Sequence, residues 1–337
     1  MRLRFAFLYL VLFCWAALSN AQAKGEKRPS TEIKTAGIKL IPIQTPKGTF
    51  KVWTKKVGSG KIKVLLLHGG PGATHEYFES FEDFLPKAGI EFYYYDQLGS
   101  FYSDQPTDTT LWQMDRFVDE VEQVRRGLDL NQFYLLGSSW GSMLAMEYTP
   151  IFQKYLKGLV LCDMTASISS YMKYVTQLKS QMPDSIQKKL DAYEEKQDYN
   201  NPDYQSLVVQ YLYNEHVCRV LPWPDPVART FKNFNQQVYN VMQGPNEFVI
   251  TGNFKDWGAW DKLPRIKVPT LCIGAKYDEM NPDDIRREGE LIPNSRVYIC
   301  PNGSHLCMWD DQQNYFRELI RFLKEVDSGS FRPDKKK

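Results

Sequence analysis

The chain has 337 residues, 43% of them hydrophobic, enough for one sizeable core with an accessory layer. Its 42 basic and 40 acidic residues leave a formal net charge of +2, which gives no electrostatic case for a nucleic-acid partner. Six cysteines at irregular spacing include no C-x-x-C pair, so neither a zinc site nor a dense disulfide framework is indicated.

The N-terminus has the pattern of an export signal. Arg2 and Arg4 precede an apolar run from Phe5 to Leu18, and Ala21-Gln22-Ala23 fits an A-x-A cleavage site. The expected mature chain starts at Lys24, is periplasmic or secreted, and keeps no transmembrane helix. It opens on a hairpin, Gly37 to Ile43 and Gly48 to Trp53, turning at Pro46-Lys47-Gly48. Strands of buried type then alternate with helices. Lys63 to Leu67 and Glu91 to Asp96 are strands, Phe117 to Leu128 is an amphipathic helix, and Gln132 to Leu136 is the next strand. Leu156 to Cys162 follows as another strand. This alternation predicts an α/β fold with a mostly parallel sheet flanked by helices, its first part spanning 24–164.

Between 165 and 243 strand signals vanish. Amphipathic segments broken at Pro183, Pro202, Pro222, Pro224 and Pro226 predict an inserted helical cap over the sheet's C-terminal edge. The second part of the core, 244–328, holds strands at Pro269 to Gly274 and Arg296 to Cys300 and a final helix from Asn314 to Val326. A polar tail, 329–337, ends in three lysines.

The chemistry centres on Gly137-Ser138-Ser139-Trp140-Gly141. A G-x-S-x-G between a strand and a helix is a nucleophile elbow, and its frame selects Ser139. A serine hydroxyl needs a base, and the base needs a third group to orient it. Of the four histidines, His68 and His75 precede the serine and His216 falls in the cap. His305, in a loop directly after a strand, remains as the base. The acid should also follow a strand, and Asp278 in Gly274-Ala-Lys-Tyr-Asp278 fits. Asp283 and Asp284 resemble the start of a helix, and Glu279 is one position late for the usual spacing. The oxyanion donors are the N–H groups of Trp140 and of Gly70 in His68-Gly-Gly-Pro-Gly72, because Pro71 has none to offer. His68 is expected to be structural.

These pieces, with His75-Glu76-Tyr77, Tyr95-Asp-Gln-Leu-Gly-Ser100, Gly244-Pro-Asn-Glu-Phe248 and Gly274-x-x-x-Asp278, resemble the proline iminopeptidases, from about residue 35 to 327. Those are α/β-hydrolase serine peptidases that remove an N-terminal residue; the Bacillus-type branch also includes amino-acid amidases. The resemblance implies two carboxylates that hold the substrate's α-ammonium, matched here by Glu215 and Glu247. Val208, Tyr211, Leu212 and Glu215 fall at helical spacing, which puts Glu215 on an apolar stripe, where a carboxylate must be paired. An i,i+4 pair with Arg219 is the structural alternative. Serines stand at 138 and 142 where the family often has glycine. The expected activity is that of a serine exopeptidase on small peptides or aminoacyl amides, with no metal or organic cofactor. An amidase or esterase, or an inactive binding protein on the same scaffold, are the rival readings.

Overall fold

The computed structural model describes residues 35–335. The export signal expected at 1–23 therefore lies outside the described residues. Residues from Ala36 onward form a single compact unit by their contacts.

Eight strands make one sheet: β1 (Ile38–Thr45), β2 (Gly48–Val57), β3 (Ile62–Leu67), β4 (Ile90–Asp96), β5 (Phe133–Ser138), β6 (Leu156–Cys162), β7 (Thr270–Ala275) and β8 (Ser295–Cys300). Their order across the sheet is β1-β2-β4-β3-β5-β6-β7-β8. The first two pairings, β1 with β2 and β2 with β4, are antiparallel; every later pairing is parallel. All residues of β4, β5 and β7 are buried, as strands covered on both faces must be. By contrast β1 alternates, turning Ile41 and Ile43 inward and leaving Ile38 and Leu40 at the surface.

The covering helices follow their apolar spacing. Helix Met114–Gly127 buries Phe117, Val121 and Val124. The last helix, Gln312–Asp327, buries Tyr315, Phe316, Leu319, Phe322 and Leu323. Helix Trp140–Phe152 differs: from Trp140 to Met146 every residue is buried, so it runs through the core behind β5.

The chain leaves the sheet after Cys162 and rejoins it at Thr270. Helices Ile168–Lys179, Asp184–Glu195, Pro202–Val208, Asp225–Lys232 and Gln236–Met242 fill most of that excursion. A π-helical stretch, Val209–Val217, continues directly from the third of them. Residues 244–269 hold turns, isolated bridges and one short 3-10 turn. Side-chain caps fix several starts: Ser167 accepts from Ser170, Asn201 from Asp203, and Asn235 from Gln237 and Val238. No helix among the described residues is long and apolar enough to cross a membrane.

One topological detail positions the site. Strand β3 lies between β4 and β5, so the chain after β3 turns to one side and the chain after β4 returns on the other. Such a switch point opens a crevice at the strands' C-terminal ends. The His68–Gly72 loop follows β3 and Ser139 follows β5, so both edges of that crevice carry predicted chemistry.

Candidate active site

The elbow is built by close approach. Ser139 has φ 57 and ψ −127, a strained conformation for a residue with a side chain and one that costs about 1–3 kcal/mol. Glycine is required on either side. A Cβ on Gly137 would stand 2.2 Å from the Gly141 carbonyl oxygen, and one on Gly141 would stand 2.0 Å from that of Leu67. The elbow is braced from behind: Ser142 Oγ lies 2.8 Å from the Gly137 carbonyl and accepts from the Cys162 N–H at 2.9 Å. The serine at 142 thus ties β5 to β6.

The loop after β3 faces this turn directly. A Cβ on Gly69 would come within 3.0 Å of Ser139 Cβ. The Gly69 N–H is already given to Tyr77 Oη at 2.7 Å, which leaves Gly70 as the loop's donor beside the serine. Gly70 has φ +105, a conformation that favours glycine. Trp140 is the first residue of its helix, so its N–H has no helical acceptor. His68 supports the loop from below. Its Nδ1 donates to the Gly69 carbonyl at 2.9 Å and its Nε2 accepts from the Gln97 N–H at 3.0 Å. Burial holds its pKa down to about 4 against the pull of Asp96, so the ring is neutral. The Gln97 side chain carries the brace onward, accepting from Trp140 Nε1 and donating to the His68 carbonyl, both at 2.9 Å.

His305 and Asp278 come together from the loops after β8 and β7. His305 Nδ1 donates to Asp278 Oδ1 at 2.9 Å, and the same oxygen accepts from the Met280 N–H at 3.0 Å. The imidazole is buried and lines one small cavity with Ser139, Gly69, Gly70 and Ser138. With Nδ1 committed to Asp278, Nε2 is the nitrogen left to serve as a base. Burial lowers the pKa of His305, but Glu279, Asp278 and Asp163 outweigh it and hold it well above the usual histidine range.

The two predicted ammonium-binding carboxylates fare differently. Glu247 lines both the small cavity and an adjoining one of about 400 Å³ walled by Tyr199, Tyr204, Tyr213 and Tyr239. It accepts from Tyr239 Oη at 2.6 Å and from Gln243 Nε2 at 3.3 Å. Burial raises its pKa, opposed by the Tyr239 hydrogen bond. Glu215 corrects the sequence reading. It is exposed, lines neither cavity and makes no ion pair among the described residues. The reason is local: 209–217 is π-helical, and its wider turn breaks the 3.6-residue register that put Glu215 in line with Val208 and Leu212. Leu212 stays buried while Glu215 rotates outward. Arg219, the alternative partner, stacks instead on the Tyr277 ring at 3.7 Å. What this stretch brings to the site is main chain: the carbonyls of His216 and Val217 accept from the N–H groups of His305 and Leu306 at 2.9 and 2.8 Å.

Glu279 is the group that sequence reasoning passed over. It is fully buried, neither carboxylate oxygen has a hydrogen-bond partner among the described residues, and Oε1 lies 3.4 Å from His305 Nδ1. Burial, together with Asp278 and Glu247, pushes its pKa well up against the pull of His305. The available signal was a second acid directly after Asp278 at the end of a buried strand. Asp278, Glu279 and His305 present ligand atoms within 4.8 Å of one another. Both carboxylates lie against the same imidazole nitrogen, Asp278 as its hydrogen-bond acceptor and Glu279 behind it at 3.4 Å.

The described cysteines, Cys162, Cys218, Cys272, Cys300 and Cys307, are all buried free thiols.

Residues 63–312 match the family model of the α/β hydrolase fold. The chain is 50% identical to a proline iminopeptidase of Elizabethkingia meningoseptica, over 87% of this chain and 100% of that protein. It is likewise 50% identical to one of Flavobacterium johnsoniae, over 86% of this chain and 98% of that protein. The crystal structure of proline iminopeptidase from Mycobacterium smegmatis superposes with a TM-score of 0.80 at 28% identity, covering 87% of this chain and all of that one. With the strained elbow at the sheet's switch point, these likenesses establish that the chain belongs to the proline iminopeptidase family of α/β hydrolases.

Proposed function

We propose that this protein is an exported serine exopeptidase that releases the N-terminal residue, proline foremost, from small peptides and aminoacyl amides. The observation that carries the reading is the position of Ser139. It stands in a strained turn against the Gly69–Gly70 loop, in one cavity with His305 and Glu247. Family membership supports the peptidase assignment, and the 1–23 segment supports export.

In this mechanism Ser139 Oγ attacks the first carbonyl of the substrate. His305 Nε2 takes the hydroxyl proton and later gives it to the leaving amine. Asp278 holds the imidazole with Nδ1 protonated. The N–H groups of Gly70 and Trp140 stabilise the tetrahedral oxyanion. Water then hydrolyses the acyl-enzyme by the same relay. Glu247 takes the substrate's α-ammonium from the cap side, and Glu279, buried and without a hydrogen-bond partner, replaces Glu215 as its companion. An ammonium held there fixes the scissile bond as the first one, which restricts the enzyme to single-residue release.

The test is product analysis on a short proline-initiated peptide whose second residue is not proline. Mass spectrometry should find free proline and a peptide shortened by one residue. Internal fragments, or a dipeptide product, would overturn the assignment.

A further inference from the structure

His305 Nδ1 faces two carboxylates at once, Asp278 Oδ1 at 2.9 Å and Glu279 Oε1 at 3.4 Å. A triad needs only the first. The surroundings are acidic from every side: Asp278 and Glu279 from the loop after β7, Asp163 from the end of β6, and Glu247 from the cap all act on this histidine. Asp163 is itself buried, with one oxygen accepting from the Cys307 thiol at 3.2 Å and the other without a hydrogen-bond partner among the described residues. Among the described residues no lysine or arginine pairs with any of these four acids, and His305 is the only positive charge within their cluster.

Charge balance then gives an unusual condition. With the amine subsite empty, an ionised Glu279 beside a neutral His305 would be a second buried carboxylate on one nitrogen with no cation, an arrangement of high cost that the pair avoids by holding protons: burial pushes the Glu279 pKa well up, and the surrounding acids hold that of His305 well up. The empty site therefore keeps the imidazole as imidazolium, and an imidazolium cannot take the proton of Ser139. A substrate ammonium beside Glu279 supplies the missing positive charge. The proton on His305 Nε2 can then leave to solvent, and the base becomes competent.

We propose that Glu279 couples the amine subsite to the base, so that docking of the substrate's α-ammonium expels a proton from His305 and switches the triad on. This rests on the exopeptidase reading, and in particular on an ammonium lying beside Glu279. Glu279 is a positioning and gating residue in this scheme. It discriminates against blocked N-termini twice, once in binding and once by leaving the base protonated. The proton balance is explicit: one ammonium enters with its charge, one proton goes from Nε2 to bulk water, and no bond to carbon changes.

Two measurements test it. In the first, L-prolinamide is titrated calorimetrically into the Ser139→Ala protein at neutral pH in buffers of different ionisation enthalpy. Binding should release about one proton per ligand. Binding without proton release overturns the coupling and leaves the exopeptidase reading standing; no binding of any aminoacyl amide overturns both. In the second, a fluorophosphonate, which carries no amine, labels Ser139 in the intact enzyme across pH. Labelling should rise through a midpoint above the usual histidine range, and Glu279→Gln should move that midpoint down by about one pH unit or more. An unchanged midpoint in a folded Glu279→Gln protein contradicts the proposal. The proton-release measurement keeps Glu279, so it stands even if that variant does not fold.

Discussion

The sheet and the cap hold their functional groups by different means. On the sheet side each group follows the C-terminal end of a parallel strand: Ser139 after β5, Asp278 after β7, His305 after β8. Backbone contacts then fix it, as the Met280 N–H fixes Asp278 and the Cys162 carbonyl fixes the Ser139 N–H at 3.0 Å. On the cap side Glu247 is oriented by side chains of its own layer, Tyr239 and Gln243. The cap itself is moored by a polar cluster. Arg229 pairs with Glu76, and with Glu79 and Asp225 at 2.7 Å each, while Asn233 donates to Glu76 at 2.9 Å. Asn235 donates its N–H to the Gly72 carbonyl at 2.9 Å, which seats the cap on the oxyanion loop. In the proposed mechanism the bond-making groups all come from the strand ends, while the amine is gripped from both layers, by Glu247 and by Glu279.

That division predicts graded losses. Ser139→Ala should lower kcat on the order of 10⁶-fold and abolish fluorophosphonate labelling, with the fold intact by circular dichroism. Asp278→Asn should cost about 10⁴-fold in kcat with KM little changed, because the wrong imidazole tautomer leaves binding alone. A cap substitution should reverse that pattern. Glu247→Gln removes a charged partner of the ammonium worth about 1.5–3 kcal/mol, so KM for free-amine substrates should rise roughly 10- to 100-fold. Glu215→Gln is its control and should change neither constant; a loss comparable to that of Glu247→Gln would show that the exposed carboxylate reaches substrate after all. The smallest effect belongs to the mooring. Arg229 is about a third exposed, so Arg229→Ala should lower stability by about 1 kcal/mol, read as a modest fall in Tm that shrinks at high salt. An equal fall at every ionic strength would assign the contact to packing.

The same division explains which residues the sequence exposed to view. Parallel strands leave continuous apolar runs, so Lys63 to Leu67, Glu91 to Asp96 and Leu156 to Cys162 announce themselves, and the loops after such runs are the natural places to look for chemistry. His305 needed no pattern of its own, since only four histidines exist and chain order removed three. The cap offered no such frame. Glu215 was placed by a 3.6-residue period that the π-helical stretch 209–217 does not keep, and nothing in Val209-Gln-Tyr-Leu-Tyr-Asn-Glu-His-Val217 marks the wider turn. Glu279 was visible but set aside, because a spacing rule for the triad acid left no role for a second acid. What marks it is burial without a hydrogen-bond partner among the described residues, which is a property of the packed molecule.

The most direct test of the account compares one aminoacyl naphthylamide with its N-acetylated form on the purified protein. The free amine should be hydrolysed and the acetylated substrate left essentially untouched, with the difference carried in both kcat and KM. Equal turnover of the two would contradict the claim that paired acids beside Ser139 select a bond next to a free amino group.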